Sequence, residues 1–213
     1  MRRQGDHAQQ GDLSDIRKPR SKSVPFHFPS AALNPLTVKA FNACYYAKHK
    51  TGDSVESFDS FFYPLDAVHH WNRVYGRRGF VQYQPVFPVS DGRAGVRAIL
   101  ERLAAAKRSS FLAVLKHMGE HETGPLGFSM PGLTLAVDIP KAPGLTDFLY
   151  ELDRVVLEHG GRLYLAKDGS MTADTFAKMY PRLDEFKTVQ RRLDPQGVLS
   201  SDQARRLGIV EPR

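Results

Sequence analysis

The sequence predicts an α+β domain, namely a ferredoxin-like antiparallel sheet with its helices on one face, followed by short C-terminal helices. The order of apolar patterns predicts this fold, because residues 79–166 run as strand, helix, strand, strand, helix and strand. The two helical stretches carry apolar residues at i, i+3, i+4 and i+7. The other stretches are short, apolar and bounded by Gly or Pro.

Turn and capping residues set the boundaries of these elements. Asp91 and Thr146 are the predicted N-caps of the two helices, since their side chains can accept hydrogen bonds from a first helical turn. Gly160 and Gly161 end the second helix, because glycine adopts the left-handed conformation common at helix ends. The predicted strands are 79–88, 111–115, 133–139 and 162–166, and the C-terminal helices start at Thr172, Leu183 and Asp202.

The N-terminal part is basic and polar. Residues 1–22 hold six Lys or Arg against three Asp, which predicts a disordered basic tail or residual linker before a domain at 23–213. The segment AFNACYYA at 40–47 is apolar enough for a strand or a buried helix, and periodicity does not separate the two. The net charge of +7 indicates either a soluble surface with a basic tail or a phosphate, lipid-headgroup or nucleic-acid partner. No zinc or helix-turn-helix spacing supports DNA binding, so no nucleic-acid partner is predicted.

Several classes of site and location are disfavoured. The chain contains no apolar run long enough for a transmembrane helix, and residues 1–22 lack the apolar region of a secretory signal, which predicts a cytoplasmic or peripheral membrane location. Cys44 is the single cysteine, so an internal disulfide is impossible. The run from His117 to His121 matches H-x-x-E-H, but it follows a strand and contains Gly119. Two such histidines converge on zinc only in a helix, so no metal site is predicted.

Three residues are candidates for a binding site on the strength of the pattern alone. Gln82 and Gln84 share a core-like strand face with Phe80 and Val86. Either this face is partly solvated, or it forms a cavity floor where the glutamines bind ligand hydroxyl groups. Lys116, at the end of the second strand, is either a surface residue or projects into the same cavity. Lys167 directly follows the last strand, and the pattern alone makes it a surface lysine.

Longer stretches of the chain resemble a known family. The elements W-N-R, Q-Y-Q, G-G-R-L-Y-x-A-K-D and L-D-P occur here in the order and spacing of the family, within residues 24–208. The chain is similar to the C-terminal half of the vanillyl-alcohol-oxidase-type FAD-linked oxidases, in the D-arabinono-1,4-lactone oxidase branch. The resemblance is carried by residues 60–88, 111–119, 136–140, 151–186 and 191–208.

The resemblance implies roles for individual residues. Lys167 matches a catalytic lysine near the pyrimidine end of the flavin, where a fixed cation would stabilise the charge that the flavin gains on hydride transfer. Tyr164 stands where related oxidases carry a histidine close to the flavin ring. Gln84 matches a residue near both flavin and substrate, and Gln82 and Lys116 match residues of the substrate pocket.

The implied function is FAD-dependent oxidation of a CH–OH group of a sugar, sugar lactone or lipid-linked pentose. Ala136 and Met118 depart from the cysteine and the aromatic residue of the similar proteins, so the sugar stays open. The implied FAD-binding domain is expected before residue 24, which makes the chain a truncated product, a split subunit or a fragment. Its expected partners are the sugar, an upstream FAD-binding domain or subunit, and a peripheral membrane contact. The alternative is a non-catalytic remnant or interaction domain that binds no flavin on its own.

Overall fold

The computed structural model describes residues 22–29, 32–48, 52–53, 58, 62–63, 65–119 and 124–210. The chain divides into two compact units, Met1–Gly79 and Phe80–Arg213, and each is described by itself. The predicted tail lies outside the described residues except for Lys22, so the predicted domain boundary there stays a prediction.

A helix at Pro35–Lys48 in the first unit exposes most of its apolar side chains. Asn34 caps this helix, because its side-chain oxygen accepts hydrogen bonds from the amides of Leu36 and Thr37 at 2.9 and 3.1 Å. The apolar run at 40–47 is therefore helical, but the expectation of burial is wrong, since none of the helix is buried. The elements of this unit are β1 Lys22–Ser23, α1 Pro35–Lys48, β2 Val68–His69 and a 3-10 helix Trp71–Tyr75, with β1 parallel to β2.

The second unit confirms the predicted α+β class with an antiparallel sheet. Strand β6 lies at its centre, pairing with β3 and β4 along one edge and with β5 along the other, while β7 pairs with β4. The strands are β3 Phe80–Tyr83, β4 Pro85–Pro88, β5 Ala113–Met118, β6 Gly132–Pro140 and β7 Arg162–Leu163. The helices are α2 Gly92–Ala105, α3 Leu145–Glu158, α4 Ala173–Met179, α5 Leu183–Leu193 and α6 Asp202–Arg206.

The hydrophobic core lies on one face of this sheet. Tyr83 opposes Val137 and Phe87 opposes Leu133, so the alternation of side chains points these residues to the same side. They pack against α2 and α3 in one cluster. Its fully buried or nearly buried members include Tyr83, Phe87, Leu135, Val137, Ile139, Ile99, Leu103, Leu149, Leu152 and Val156.

The predicted helix caps are only partly correct. Thr172 caps α4 as expected, since its hydroxyl accepts a hydrogen bond from the amide of Thr175 at 3.2 Å. Asp91 precedes α2, but its carboxylate pairs with His159 Nδ1 at 2.5 Å instead of capping the helix. Thr146 lies inside the first turn of α3, because the helix begins at Leu145 with Gly144 as its N-cap, two residues before the predicted cap.

The last predicted strand is shorter than expected. It covers Arg162–Leu163 only, because the chain turns at Tyr164 into a 3-10 helix, Leu165–Lys167. The predicted strand 79–88 is two strands in line, interrupted at Gln84. Within the described ranges, no helix has both the length and the hydropathy to cross a bilayer.

Candidate functional site

The face of the sheet opposite the core carries a group of polar residues. Gln82 opposes Asp138 in the register, and Lys116 opposes Thr134. The interpretation that the glutamines share the core face is wrong, because the core forms on the side of Tyr83 and Phe87. We call this second surface the polar face, and define it by Gln82, Gln84, Lys116, Thr134, Ala136 and Asp138.

The two glutamines are partly held by their neighbours on the polar face. Gln82 Nε2 donates to Asp138 Oδ1 at 2.9 Å, and Gln84 Nε2 makes a longer contact of 3.4 Å with Thr134 Oγ1. Asp138 and Thr134 are 0% and 1% exposed, whereas both glutamines are half-buried. Among the described residues their Oε1 atoms have no hydrogen-bond partner. These oxygens can accept hydrogen bonds from a ligand hydroxyl group.

A cavity of about 560 Å³ opens beside strand β3. Gln82, Gln84, Tyr164 and Lys167 all line it, so the fold brings together four of the five residues implied by the resemblance. Lys116 is not among the lining residues. It lies on β5, and β6 separates that strand from β3. Lys116 therefore shares the polar face with the glutamines but not the cavity.

Lys167 lies in a turn that is held by hydrogen bonds and an ion pair of the next residue, Asp168. It is exposed at the end of the 3-10 helix, whereas the side chain of the next residue, Asp168, is only 1% exposed. Asp168 Oδ1 accepts hydrogen bonds from the amides of Ser170 and Met171 at 3.0 and 2.8 Å. Its Oδ2 pairs with Arg206 of α6 at 2.8 Å. Helix α6 thus holds the turn that carries the exposed lysine.

Tyr164 connects the same segment to strand β3. Its backbone amide donates to the carbonyl of Gln84 at 2.9 Å, so the two candidate residues are tied through their main chains. Its ring packs against Phe128 in a tilted arrangement, with the centroids 4.7 Å apart, and it is still more than a third exposed. This combination fixes the ring on one side and leaves the rest of it open to a ligand.

The cavity wall carries positive charge that no side chain in the described ranges neutralises. Lys141 lines the cavity together with Lys167, and neither forms a salt bridge with a described residue. Asp168 is the one carboxylate among the lining residues, and it is already paired with Arg206. The arrangement can therefore bind an electron-rich or anionic group. Sequence analysis did not identify Lys141, because the resemblance implies no role for it and its position after Pro140 does not show that it borders the cavity.

A buried carboxyl group lies on the core side of the same strand. The Tyr83 hydroxyl donates to Asp153 Oδ1 at 2.8 Å. Burial raises the pKa of Asp153 to about 6, and the charge of Asp168 raises it as well, while the Tyr83 hydrogen bond and Arg206 act in the opposite direction. Burial and the neighbouring Asp153 also raise the pKa of Tyr83 well above its usual value. The pattern of α3 gave no sign of this pair, since Asp153 occurs there as an ordinary polar helical residue.

No group of three or more His, Cys, Asp or Glu side chains within the described ranges is arranged to hold a metal ion. Of the H-x-x-E-H run, His117 lies in β5, whereas Glu120 and His121 lie outside the described residues.

Comparison with known proteins shows which oxidases this chain is similar to. The family model for D-arabinono-1,4-lactone oxidase matches residues 137–207, a stretch that includes Tyr164 and Lys167. The chain is also 42% identical over 202 residues to the decaprenylphosphoryl-β-D-ribose oxidase of Mycolicibacterium smegmatis, a match that covers 94% of this chain and 44% of that protein. The resemblance predicted from the sequence is confirmed, and both names denote oxidases.

A further relative extends the comparison. The chain is 37% identical over 115 residues to an uncharacterized protein in the mprA 5' region of Streptomyces coelicolor, covering 54% of this chain and 31% of that protein. The chain thus spans less than half the length of either curated relative that it matches.

Proposed function

We propose that residues 80–210 form the substrate-facing wall of an FAD-dependent oxidase that acts on a CH–OH group of a sugar, sugar lactone or lipid-linked pentose. The observation that carries this proposal is the convergence of Gln82, Gln84, Tyr164 and Lys167 on one cavity. The relative from M. smegmatis supports it, since its name specifies a phosphoryl-linked ribose as the substrate. Strand order and antiparallel pairing support a ferredoxin-like cap as the fold of this wall.

The lining residues fit a flavin ring and a sugar. Two side-chain amides, a phenol and an unpaired ammonium group can hydrogen-bond to the oxygen-rich edge of a flavin and to sugar hydroxyl groups. FAD, when bound, supplies the acceptor for a hydride from the substrate carbon. Lys167 would place a fixed positive charge beside the cofactor, and its lack of a carboxylate partner among the described residues leaves that charge available.

The other residues would orient the substrate. Gln82 and Gln84 keep their Oε1 atoms free of partners within the described part of the chain and can accept hydrogen bonds from hydroxyl groups of a sugar. Tyr164 offers a partly open ring face for a planar group. Lys116, on the far edge of the polar face, would reach only a ligand that extends across β6.

The test is a flavin titration of the chain with and without an FAD-binding domain. The N-terminal part of the M. smegmatis relative, co-expressed as a separate polypeptide, supplies that domain. We expect bound flavin, detected by its absorbance and quenched fluorescence, only in the complex. Anaerobic addition of phosphoryl ribose substrates should then bleach the flavin, and Lys167→Ala should slow this reduction by about 100-fold.

The exposed Lys178→Ala is the matched control and should leave the rate unchanged. If the substrate reduces the flavin in the Lys167→Ala complex as fast as in the parent complex, the assigned role of the lysine is wrong. If no flavin binds in either condition, the non-catalytic interaction domain becomes the better interpretation.

A further inference from the structure

A buried carboxylate stands directly behind the strand that carries the two glutamines. Asp153 is 2% exposed, and its Oδ1 accepts the hydrogen bond from the Tyr83 hydroxyl at 2.8 Å. Its Oδ2 is buried and has no hydrogen-bond partner among the described residues. A buried charge with an unpaired oxygen is costly, so its persistence in the core calls for a physical explanation.

Tyr83 connects this carboxyl group to the cavity. It lies between Gln82 and Gln84 in the chain, and its side chain points to the core while theirs point to the polar face. The hydrogen bond to α3 therefore holds the strand from the side opposite its ligand-facing residues. A change in that bond therefore acts on the strand segment to which both glutamines are attached.

The same carboxyl group is coupled to the turn that presents Lys167. The charged groups that act on Asp153 are Asp168, next to Lys167, and Arg206 of α6, which pair with each other at 2.8 Å. Tyr83 on β3 is the remaining polar group that faces it. Asp153 therefore binds strand β3 through the Tyr83 hydroxyl and interacts electrostatically with Asp168 in the 165–171 segment. Both parts belong to the cavity wall.

We propose that Asp153 is a positioning residue whose state of ionisation sets how Tyr83 and strand β3 present Gln82 and Gln84 to the cavity. The inference rests on the proposed function only in treating the cavity as a ligand site. The coupling between Asp153 and the glutamines is a property of the chain alone, and it can be measured without flavin.

The direction of the effect follows from the chemistry of the hydrogen bond. Hydrogen bonds to an ionised acceptor are shorter and stronger than those between neutral groups. Tyr83 is therefore held more firmly when Asp153 is ionised. Because burial raises the pKa of Asp153 to about 6, the change falls between pH 5 and 7, about two units above the range of an ordinary aspartate.

The experiment is a pH titration of the 213-residue chain followed by NMR. The side-chain amide signals of Gln82 and Gln84 are assigned by substitution and followed from pH 4 to pH 8. We expect both signals to shift with a midpoint near that of the Asp153 carboxyl carbon. Asp153→Asn keeps an oxygen that accepts from Tyr83 but has no titrating charge, and it should abolish this component of the shift.

Two further variants separate positioning from folding. Asp174→Asn removes an exposed aspartate of α4 and should leave the glutamine titration unchanged. Tyr83→Phe should uncouple the glutamines from Asp153 while the carboxyl group itself still titrates. The difference between the parent chain and Asp153→Asn isolates the effect of this carboxyl group from that of every other titrating group.

Glutamine signals that titrate identically in the parent chain and in Asp153→Asn, or that do not titrate at all, would overturn the proposal. A merely structural role of Asp153 would alter thermal stability in the variant without altering those signals. A negative result in this NMR experiment does not affect the outcome of the flavin titration, so the positioning role of Asp153 and the proposed oxidase function are tested independently.

Discussion

At the scale of single residues, the polar face is maintained by hydrogen bonds that leave few buried groups unpaired. Thr134 is the clearest case. It is 1% exposed, its hydroxyl donates to the carbonyl of Pro85 at 2.8 Å, and it accepts the long contact from Gln84. Proline has no amide hydrogen, so the strand at Pro85 depends on such side-chain bonds more than a regular strand does.

Replacing Thr134 by Val tests this dependence. The substitution keeps the shape but leaves the Pro85 carbonyl buried without its donor, so we expect a loss of about 1–3 kcal/mol in the free energy of unfolding. Thr188→Val is the matched control, because the Thr188 hydroxyl binds a carbonyl on an exposed helix surface. Urea denaturation followed by circular dichroism measures both. Equal losses in the two variants would show that burial of the bond is unimportant.

At the scale of elements, α2 docks on the sheet at a glycine. A Cβ atom on Gly95 would lie 2.5 Å from the ring of Phe87 in β4, far inside van der Waals contact. Gly92, one turn earlier, meets only the flexible side chain of Leu133 at 3.3 Å. The close approach of α2 to β4 therefore depends on Gly95 much more than on Gly92.

We expect Gly95→Ala to destabilise the unit by about 1–3 kcal/mol, because overpacking at a buried ring outweighs the better helix propensity of alanine. Gly92→Ala should lie within about 0.5 kcal/mol of the parent chain, since the Leu133 side chain can adjust. Thermal unfolding of both variants provides the comparison. A Gly95→Ala variant as stable as Gly92→Ala would mean that α2 can move away from β4 without cost.

The second element-scale prediction concerns α6 and the lysine turn. Arg206→Gln removes the partner of the buried Asp168 carboxylate and should cost about 2–4 kcal/mol, a value reduced for the partial exposure of the arginine. Arg205→Gln, one residue away, breaks a pair with the fully exposed Asp202 and should cost less than about 1 kcal/mol. Denaturation measures stability, and NMR of the 165–171 amides shows whether the turn loosens. Similar effects of the two substitutions would contradict a supporting role for Asp168.

At the scale of the whole molecule, Asp153 predicts an unusual dependence of stability on pH. Its pKa in the folded chain, about 6, lies above the ordinary value of 3.8, so the folded state binds the proton more tightly than the unfolded state. The associated stability is fully present below about pH 4 and is lost as the pH rises through 6, by about 2–3 kcal/mol.

Asp153→Asn should flatten this part of the curve. Relative to the parent chain, the variant should gain in free energy of unfolding as the pH is raised from 4 to 7, and the two curves should run parallel above that range. Denaturation at several pH values gives the difference directly. A difference that does not change with pH would show that Asp153 titrates like an exposed aspartate.

Much of the fold could be predicted because its signals are local. The order of strands and helices follows from apolar periodicity, and the C-terminal end of α3 and the start of α4 follow from Gly160 and Thr172. The caps assigned to Asp91 and Thr146 failed for a reason outside the local pattern. His159 pairs with the Asp91 carboxylate, and α3 has Gly144 as its N-cap, two residues before the predicted cap.

In the candidate site too, some features follow from the local sequence and others depend on residues that are distant in the chain. The residue types of the site are visible in the sequence: the glutamines occupy alternate positions, and the Tyr and Lys belong to the R-L-Y-L-A-K segment. Three features became visible only in the folded chain. The glutamines face away from the core, Lys116 lies across β6 from the cavity, and Asp153 and Arg206 bind residues of the cavity wall from its other side. These features depend on pairs of residues far apart in the chain, and no local periodicity records which surfaces a folded sheet covers.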